Sequence, residues 1–394
     1  MFIKVMNAGG AERVLTILAN HLHSTGYKVT LLLTHQKMVQ TNLQHLNNDI
    51  QVIALEDELT TDSYEFAFHL LLARIVGKLA TFVTGNSDKS LVLRYAARNY
   101  KKIKWIKKYL CNHSHAHLIA FLYDSIFLTL LSRKTSNRLI ISERGDPCQS
   151  LSSKTDFAFF RTMFPHADAI VFQSPDVCKW YKDHLGIDGT VIFNPIMTGL
   201  PEPFQGKRNK QIVNFCRLSP AKNLYLLINS FEKLHQLYPD YELWIYGDAD
   251  SAAMEYSEQL KSRIAASNCR SVIHLRPATE EIHTAVLGCA MFVSSSDYEG
   301  MSNSMLEAMA IGLPVVCTDC PAGGARAVIK DHENGLLVPV NDPQSLFLAM
   351  KELIDNPELA TKLSENAIKI RRSQSEKVIM EQWNALLLSL HEQA

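Results

Sequence analysis

Short runs of β-branched and aliphatic residues alternate along this chain with segments whose apolar positions recur at the helical period. VTLLLT, LIAFLY, RLIISE and AIVFQS are the strand-like runs of the first half. QIVNFCRL, YELWIYGD, SVIHLR, MFVSSS and LPVVCTD follow in the second, separated by helices such as NLYLLINSFEKLHQL. This rhythm predicts parallel α/β sheets. The chain has 394 residues, more than the ~250–300 at which single cores stop growing, so two doubly wound domains are expected. The stretch VIFNPIMTGLPEPFQGKRNK, with three prolines and two glycines, marks a linker at 195–210. An N-terminal domain at 1–194 and a C-terminal domain at 211–375 follow, with a last helical segment at 376–394 expected to cross back to the first domain. Solenoid periods and low-complexity tracts are absent from the sequence.

Composition changes the picture in one respect. At 47% hydrophobic and 20% charged residues the chain is an ordinary globular sequence, which excludes disorder, collagen and coiled coil. Its 40 basic and 40 acidic side chains cancel, yet the residues up to Thr198 hold 22 Lys and Arg against 16 Asp and Glu, whereas those after it hold 18 against 24. The halves are thus +6 and −6, which points to an anionic partner for the first half and away from nucleic-acid binding by the whole protein. Lys89–Tyr123 contains no acidic residue and carries Lys89, Arg94, Arg98, Lys101, Lys102, Lys104, Lys107 and Lys108, interleaved with Ile103, Trp105, Ile106 and Leu110. A basic helix of this kind, centred on 89–110, suits an anionic membrane surface, with Trp105 and Ile106 as apolar anchors. A solvated helix face is the alternative.

Eight cysteines are scattered through apolar stretches and are expected to be reduced and mostly buried. Cys317 and Cys320 form a C-x-x-C without the second pair or nearby His of a zinc set. The opening MFIKVMNAGGAERV lacks a signal-peptide pattern, and no apolar stretch reaches the ~20 residues of a transmembrane span, so a cytoplasmic protein is expected.

Three segments could carry chemistry. Gly9 and Gly10 lie between a short strand and a helix, where bare backbone at a helix N-terminus can meet a phosphate or acceptor oxygen, although such a pair is often only a tight turn. Arg217 and Lys222 follow the strand QIVNFC, five residues apart and ahead of a helix, and suit a diphosphate. Glu299, Gly300, Met301, Ser302 and Glu307 run from the strand MFVSSS into a helix, with both carboxylates able to face one crevice. The apolar neighbours of Glu307 imply a buried carboxylate needing hydroxyl or cationic partners. Asp248 and Asp250 spell D-x-D but follow a strand end, where a turn explains them better.

R-L-x-x-x-K-N, then D-Y-E-G-x6-E-A-M-A-x-G-L-P-V-V, with G-G-A-E-R-V near the N-terminus, resembles the family 4 glycosyltransferases. Within them it is similar to bacterial enzymes that extend surface glycans on polyprenyl-diphosphate carriers. The resemblance implies a GT-B fold, two Rossmann-like domains facing across a cleft. It implies retaining transfer of a hexose or N-acetylhexosamine from a nucleotide-diphosphate sugar, such as a UDP-sugar, with no cofactor and no metal. It further implies a lipid-linked glycan acceptor and peripheral attachment to the inner face of the cell membrane. By matching motif, Arg217 and Lys222 would hold the donor diphosphate, Glu299 the donor sugar and Glu307 the ribose. The amides of Gly300–Ser302 would approach the phosphate, with Gly9 and Gly10 near the reaction centre. Where many relatives carry a His, this chain has Ser142, Glu143, Arg144 and Gly145, so Glu143 and Arg144 are expected to take over that neighbourhood or to form a structural turn. Relatives usually have a full first strand before G-G, whereas eight residues precede Gly9, and a weakened first sheet is expected. A sugar-nucleotide epimerase or phosphorylase on the same architecture, or a non-catalytic glycan- or lipid-binding relative, are the other readings.

Overall fold

The computed structural model describes residues 1–6, 9–35, 43–55, 71, 75, 87–151, 153–250 and 253–392, and the chain forms two units within it. One runs from Met1 to Ile192 and takes in the chain again from Met380; the other spans Phe193–Ile379. The first contains β1 (Phe2–Ile3), α1 (Gly10–Ser24), β2 (Thr30–Leu33), β3 (Gln51–Ala54), α2 (Ser87–Arg98), α3 (Tyr100–Cys111), β4 (Leu118–Phe121) and α4 (Tyr123–Ser132). β5 (Leu139–Ser142), α5 (Pro147–Ser150), α6 (Lys154–Met163), β6 (Ala169–Phe172), α7 (Pro175–Leu185) and β7 (Thr190–Val191) complete it, apart from the last helix. Its strands pair in parallel in the order β3-β2-β1-β4-β5-β6-β7, so the two-residue β1 holds a central place. Local chemistry sets the helix ends. For α7, the Ser174 side chain accepts the Val177 N–H at 3.1 Å, Pro175 occupies the first turn and Gly186 closes the helix at φ 67°.

The second unit contains β8 (Gln211–Phe215), α8 (Leu224–Leu237), β9 (Glu242–Tyr246), α9 (Met254–Ala265), β10 (Ile273–Arg276), α10 (Ile282–Val286), β11 (Met291–Ser294) and α11 (Asn303–Ala310). β12 (Val315–Thr318), β13 (Leu336–Val338), α12 (Pro343–Asp355), α13 (Pro357–Ala367) and α14 (Ile370–Ser373) follow, and α15 (Glu376–Glu392) begins here before continuing into the first unit. The parallel sheet runs β10-β9-β8-β11-β12-β13. Because successive strand residues point to opposite faces, each strand feeds two cores. Ile212, Leu243, Ile245, Met291, Val293 and Val316 pack on the α8 and α12 side. Val213, Phe215, Phe292, Val315 and Cys317 pack on the side of α11. A sheet covered on both faces explains why these strands read as nearly unbroken apolar runs.

Three expectations meet details of packing. The polar, proline-rich stretch at 195–210 lies along the second unit: the Ile196 N–H donates to Gln374 O at 2.8 Å, and Arg208 donates to Cys289 O at 3.0 Å and to Gly312 O. From the final helix, Trp383 is fully buried against the first unit's core and stacks on Phe121 at 6.0 Å. The third is a correction. Ile106 is not a membrane anchor, because Ile103, Ile106 and Leu110 on one face of α3 are buried with Phe2, Leu32, Leu55 and Leu128, with Trp105 packed against them. Lys104, Lys107 and Lys108 remain exposed on α3.

Candidate active site

In the second unit the chain lays down β8, β9 and β10 toward one edge, then returns to place β11 on the other side of β8. Loops leaving the C-terminal ends of β8 and β11 therefore open side by side, the position at which open α/β sheets bind ligands. One is Cys216–Asn223 and the other Ser295–Ser302. They are fastened together: the Asp297 N–H donates to Ala221 O at 2.9 Å, and the Ser295 hydroxyl to Lys222 O at 2.9 Å. Asn223 sits at φ 41°, a left-handed conformation that Asn tolerates. Its side chain accepts the Leu226 N–H to start α8, while its amide donates to Asp297 at 2.8 Å and Asn341 at 2.9 Å.

Across this junction Lys222 forms an ion pair with Glu299, the two side chains being 18% and 23% exposed. Burial opposes the ammonium charge, but the Glu299 carboxylate outweighs it, so Lys222 titrates above the ordinary lysine value. Burial also pushes the neighbouring Cys216 thiol up to about 12, with the Glu299 charge adding to that shift and the Lys222 and Arg217 charges opposing it. Arg217 is half exposed and lies 3.5 Å from Asp250. The Asp248 and Asp250 carboxylates accept backbone N–H groups, Asp248 from Ala278 at 3.3 Å and Asp250 from Ala253 at 3.1 Å. Among the described residues no group of three or more His, Cys, Asp and Glu is arranged to hold a metal ion.

Gly300, Met301 and Ser302 lead into α11, whose first turn is capped by the Ser302 hydroxyl accepting the Met305 N–H at 3.3 Å. A Cβ on Gly324 would lie 1.7 Å from Gly300 O, so only glycine lets that loop press on this one. The buried Asn194 amide donates to Met301 O at 3.3 Å and to Asn303 at 2.8 Å. Within α11, Glu307 is buried and accepts from His283 on α10 at 2.9 Å. Arg217, Lys222, Glu299 and the Gly300–Ser302 turn are thus gathered at one sheet edge. Asn194, His283 and Gly324 were not singled out in the sequence. The glycine pair at Gly323 and Gly324 was a usable signal, but nothing local marks His283, whose partner is 24 residues away.

Gly9, Gly10, Glu143 and Arg144 belong to the first unit, at the corresponding edge of its sheet. Gly9 is the N-cap residue of α1, and the Glu12 carboxylate covers it so closely that a Cβ would lie 2.1 Å from Oε2. Across the β1/β4 switch point, Leu122 turns the chain into α4 at φ 64°, and Lys4 pairs with Asp124 at 2.8 Å. Beyond β5, Glu143 is buried and accepts the Gly145 N–H at 2.9 Å. Arg144 is also buried; it donates to the Ser142 hydroxyl at 2.7 Å and faces the rings of Phe121 at 4.9 Å and Trp383 at 5.8 Å. Burial pulls its guanidinium down to about 9, with the Glu143 charge opposing that shift.

Two family models together account for most of the chain: "Glycosyltransferase Family 4" matches residues 8–199 and "Glycosyl transferases group 1" matches 201–370. The chain belongs to the family 4 glycosyltransferases. This glycosyltransferase is 24% identical over 393 residues to a Campylobacter jejuni enzyme, covering 96% of this chain and 95% of the relative. That relative is N-acetylgalactosamine-N,N'-diacetylbacillosaminyl-diphospho-undecaprenol 4-alpha-N-acetylgalactosaminyltransferase. A Haemophilus influenzae glycosyltransferase is 27% identical over 179 residues, a match spanning 45% of this chain and 49% of the relative's length. Among solved structures, Anabaena Alr3699/HepE in complex with UDP and glucose superposes with TM-score 0.76 at 18% identity, covering 98% of both chains. Sucrose-phosphate synthase from Thermosynechococcus elongatus does so with TM-score 0.77 at 16% identity, covering 100% of this chain and 96% of that one. These glycosyltransferases share the two-unit GT-B architecture. Among the described residues no helix is long and apolar enough to cross a membrane.

Proposed function

We propose that this glycosyltransferase moves a hexose or N-acetylhexosamine from a UDP-sugar to a glycan carried on a polyprenyl diphosphate. The transfer is retaining and independent of a metal, in the building of a surface polysaccharide or oligosaccharide at the inner face of the cell membrane. One observation carries the reading: Lys222 and Glu299 pair at the switch point of the second sheet, where the loops after β8 and β11 are fastened together, with Arg217 on the same loop as Lys222 and the N-terminus of α11 following Glu299. Cleaving a sugar–phosphate bond concentrates negative charge on the departing diphosphate. Fixed cations and helix N–H groups that are already oriented stabilise that charge without reorganising. Lys222 would exchange part of its contact with Glu299 for the diphosphate, Arg217 would meet it from the exposed side, and the Gly300–Ser302 amides would close on it. Glu299, so released, would contact the donor sugar, and Glu307 would accept from the ribose hydroxyls. In the first unit Gly9 and Gly10 would lie near the reacting centre, and the buried Glu143 and Arg144 would shape the acceptor side from beneath.

The C. jejuni relative's name, with its undecaprenyl diphosphate acceptor and N-acetylgalactosaminyl transfer, supports the choice of acceptor and sugar class. The Anabaena structure in complex with UDP and glucose supports the nucleotide. The exposed lysines of α3 support attachment to an anionic membrane surface as a peripheral, cytoplasmic protein. The test is a screen of nucleotide sugars with extracted polyprenyl-diphosphate glycans, read by mass spectrometry, with and without EDTA. Glycan elongation with release of UDP is expected under both conditions. An epimer, a sugar phosphate or no turnover would overturn the reading, and loss in EDTA restored by Mg²⁺ or Mn²⁺ would overturn metal independence.

A further inference from the structure

His283 lies on α10, outside every motif that marks this family in the sequence, and its imidazole meets the Glu307 carboxylate in a site from which water is largely excluded. Nε2 is 2.9 Å from Glu307 Oε2, and the two side chains are 11% and 6% exposed. The other side of the imidazole is framed by Phe215, whose ring stands edge-on at 6.0 Å and 87°. An ionised carboxylate only accepts hydrogen bonds, so this contact requires a proton on Nε2. A buried carboxylate without such a donor is costly, and one free to rotate presents its second oxygen in no fixed direction.

We infer that His283 is a positioning residue: it locks the plane of the Glu307 carboxylate so that it can accept from the vicinal hydroxyls of a nucleoside ribose. This makes His283 part of what selects ribonucleotide over deoxyribonucleotide donors. The inference rests on the proposed contact between Glu307 and the ribose. It goes beyond it in naming the residue that gives that contact its geometry. Lining up two hydroxyls with one carboxylate demands a fixed plane, and an imidazole N–H on one oxygen supplies it. The pairing of α10 to α11 also explains the presence of a polar residue at an otherwise apolar sheet–helix boundary beside Phe215, Val286 and Phe292.

The experiment compares UDP with 2′-deoxy-UDP by calorimetry, and donor KM and kcat by turnover, in the wild-type protein and in His283→Leu, His283→Gln and Glu307→Gln, each checked for a cooperative thermal transition well above the assay temperature. Hydrogen bonds to a charged group differ enough that the wild type should prefer UDP about 10- to 100-fold. His283→Leu should raise donor KM about tenfold with little change in kcat and reduce the preference to a few-fold. His283→Gln, which keeps an N–H donor, should recover part of both. A folded His283→Leu protein that keeps wild-type KM and preference would overturn the inference while leaving the ribose reading intact; if His283→Leu does not fold, an His283→Gln protein whose preference falls as far as that of Glu307→Gln overturns it. A wild type that does not prefer UDP, or a Glu307→Gln protein that prefers it undiminished, would remove the ribose reading itself and the inference with it.

Discussion

Replacing Lys222 by Ala separates catalysis from stability at the ion pair it forms with Glu299. With both side chains about one-fifth exposed, the pair stands between two regimes. Exposed pairs contribute ~0–1 kcal/mol, whereas removing one partner of a buried pair costs ~3–5 kcal/mol because the other charge is stranded. A loss of about 1–3 kcal/mol is expected for Lys222→Ala, lowering the melting temperature of the unit by roughly 3–10 °C. Turnover should fall more, by about 10²–10³-fold or ~2.7–4 kcal/mol, the typical effect of removing one group aimed at developing charge. The additional change Glu299→Gln relieves the stranded carboxylate, so the double variant should regain part of the melting temperature and none of the turnover. Arg217→Ala, half exposed beside Asp250, should lose turnover similarly with a melting shift near zero. The assay is UDP release from a UDP-sugar beside differential scanning fluorimetry on the same samples. Wild-type turnover in Lys222→Ala, or turnover restored by Glu299→Gln, would refute the diphosphate assignment.

Arg208→Met should destabilise the second unit by about 1–3 kcal/mol, since it strands the Leu287 and Cys289 carbonyls and leaves Gly312 O to the Ser364 hydroxyl alone, and urea unfolding measures this. Asp168 is desolvated, which pushes its pKa up, but the Leu139 N–H at 2.8 Å and the guanidinium groups of Arg133 and Arg138 outweigh that and leave it depressed. Its contribution is therefore present above the ordinary aspartate value and lost as pH falls through the depressed one, so the melting difference between wild type and Asp168→Asn should be full at pH 7 and shrink below about pH 4. Burial raises the thiols of Cys289 to about 11 and Cys320 to about 12, so at pH 8 iodoacetamide should label the exposed Cys111 and Cys148 first and reach the buried pair only on unfolding, as read by peptide mass spectrometry. Changing Lys101, Lys102, Lys104, Lys107 and Lys108 to Gln should release the protein from anionic liposomes in co-sedimentation. Because Ile103, Ile106 and Leu110 are buried, wild-type binding should be removable by salt, with no apolar remainder.

Much of this architecture was legible because parallel sheets write themselves into sequence as apolar runs punctuated by helices. The burial of Glu307 was legible too, since Met305, Leu306, Ala308 and Met309 leave a carboxylate no exposed face on so short a helix. Periodicity could show that α3 has an apolar stripe but not what covers it. Ile103, Ile106 and Leu110 would look the same beneath a membrane as beneath β1 and α4. The stretch around Arg208 has a linker's composition, yet its acceptors come from positions 287 to 364, and no local rule brings them together. His283 was hidden for a related reason: a lone histidine on a short helix gains its meaning only from a partner on another element.

The discontinuity of the first unit has a bearing on the order in which the molecule can be made. Residues 193–379 are contiguous, so the second unit can mature as soon as the ribosome has released them. The earlier-emerging unit is in the opposite position. Trp383, buried against Phe121 and Arg144, and the buried Leu387 and Leu390 belong to this first unit and leave the ribosome only after the whole of the second. The sheet of the first 192 residues must therefore wait with part of its apolar surface open while nearly 190 further residues are added. A stop codon near position 380 would injure the beginning of the protein more than its end.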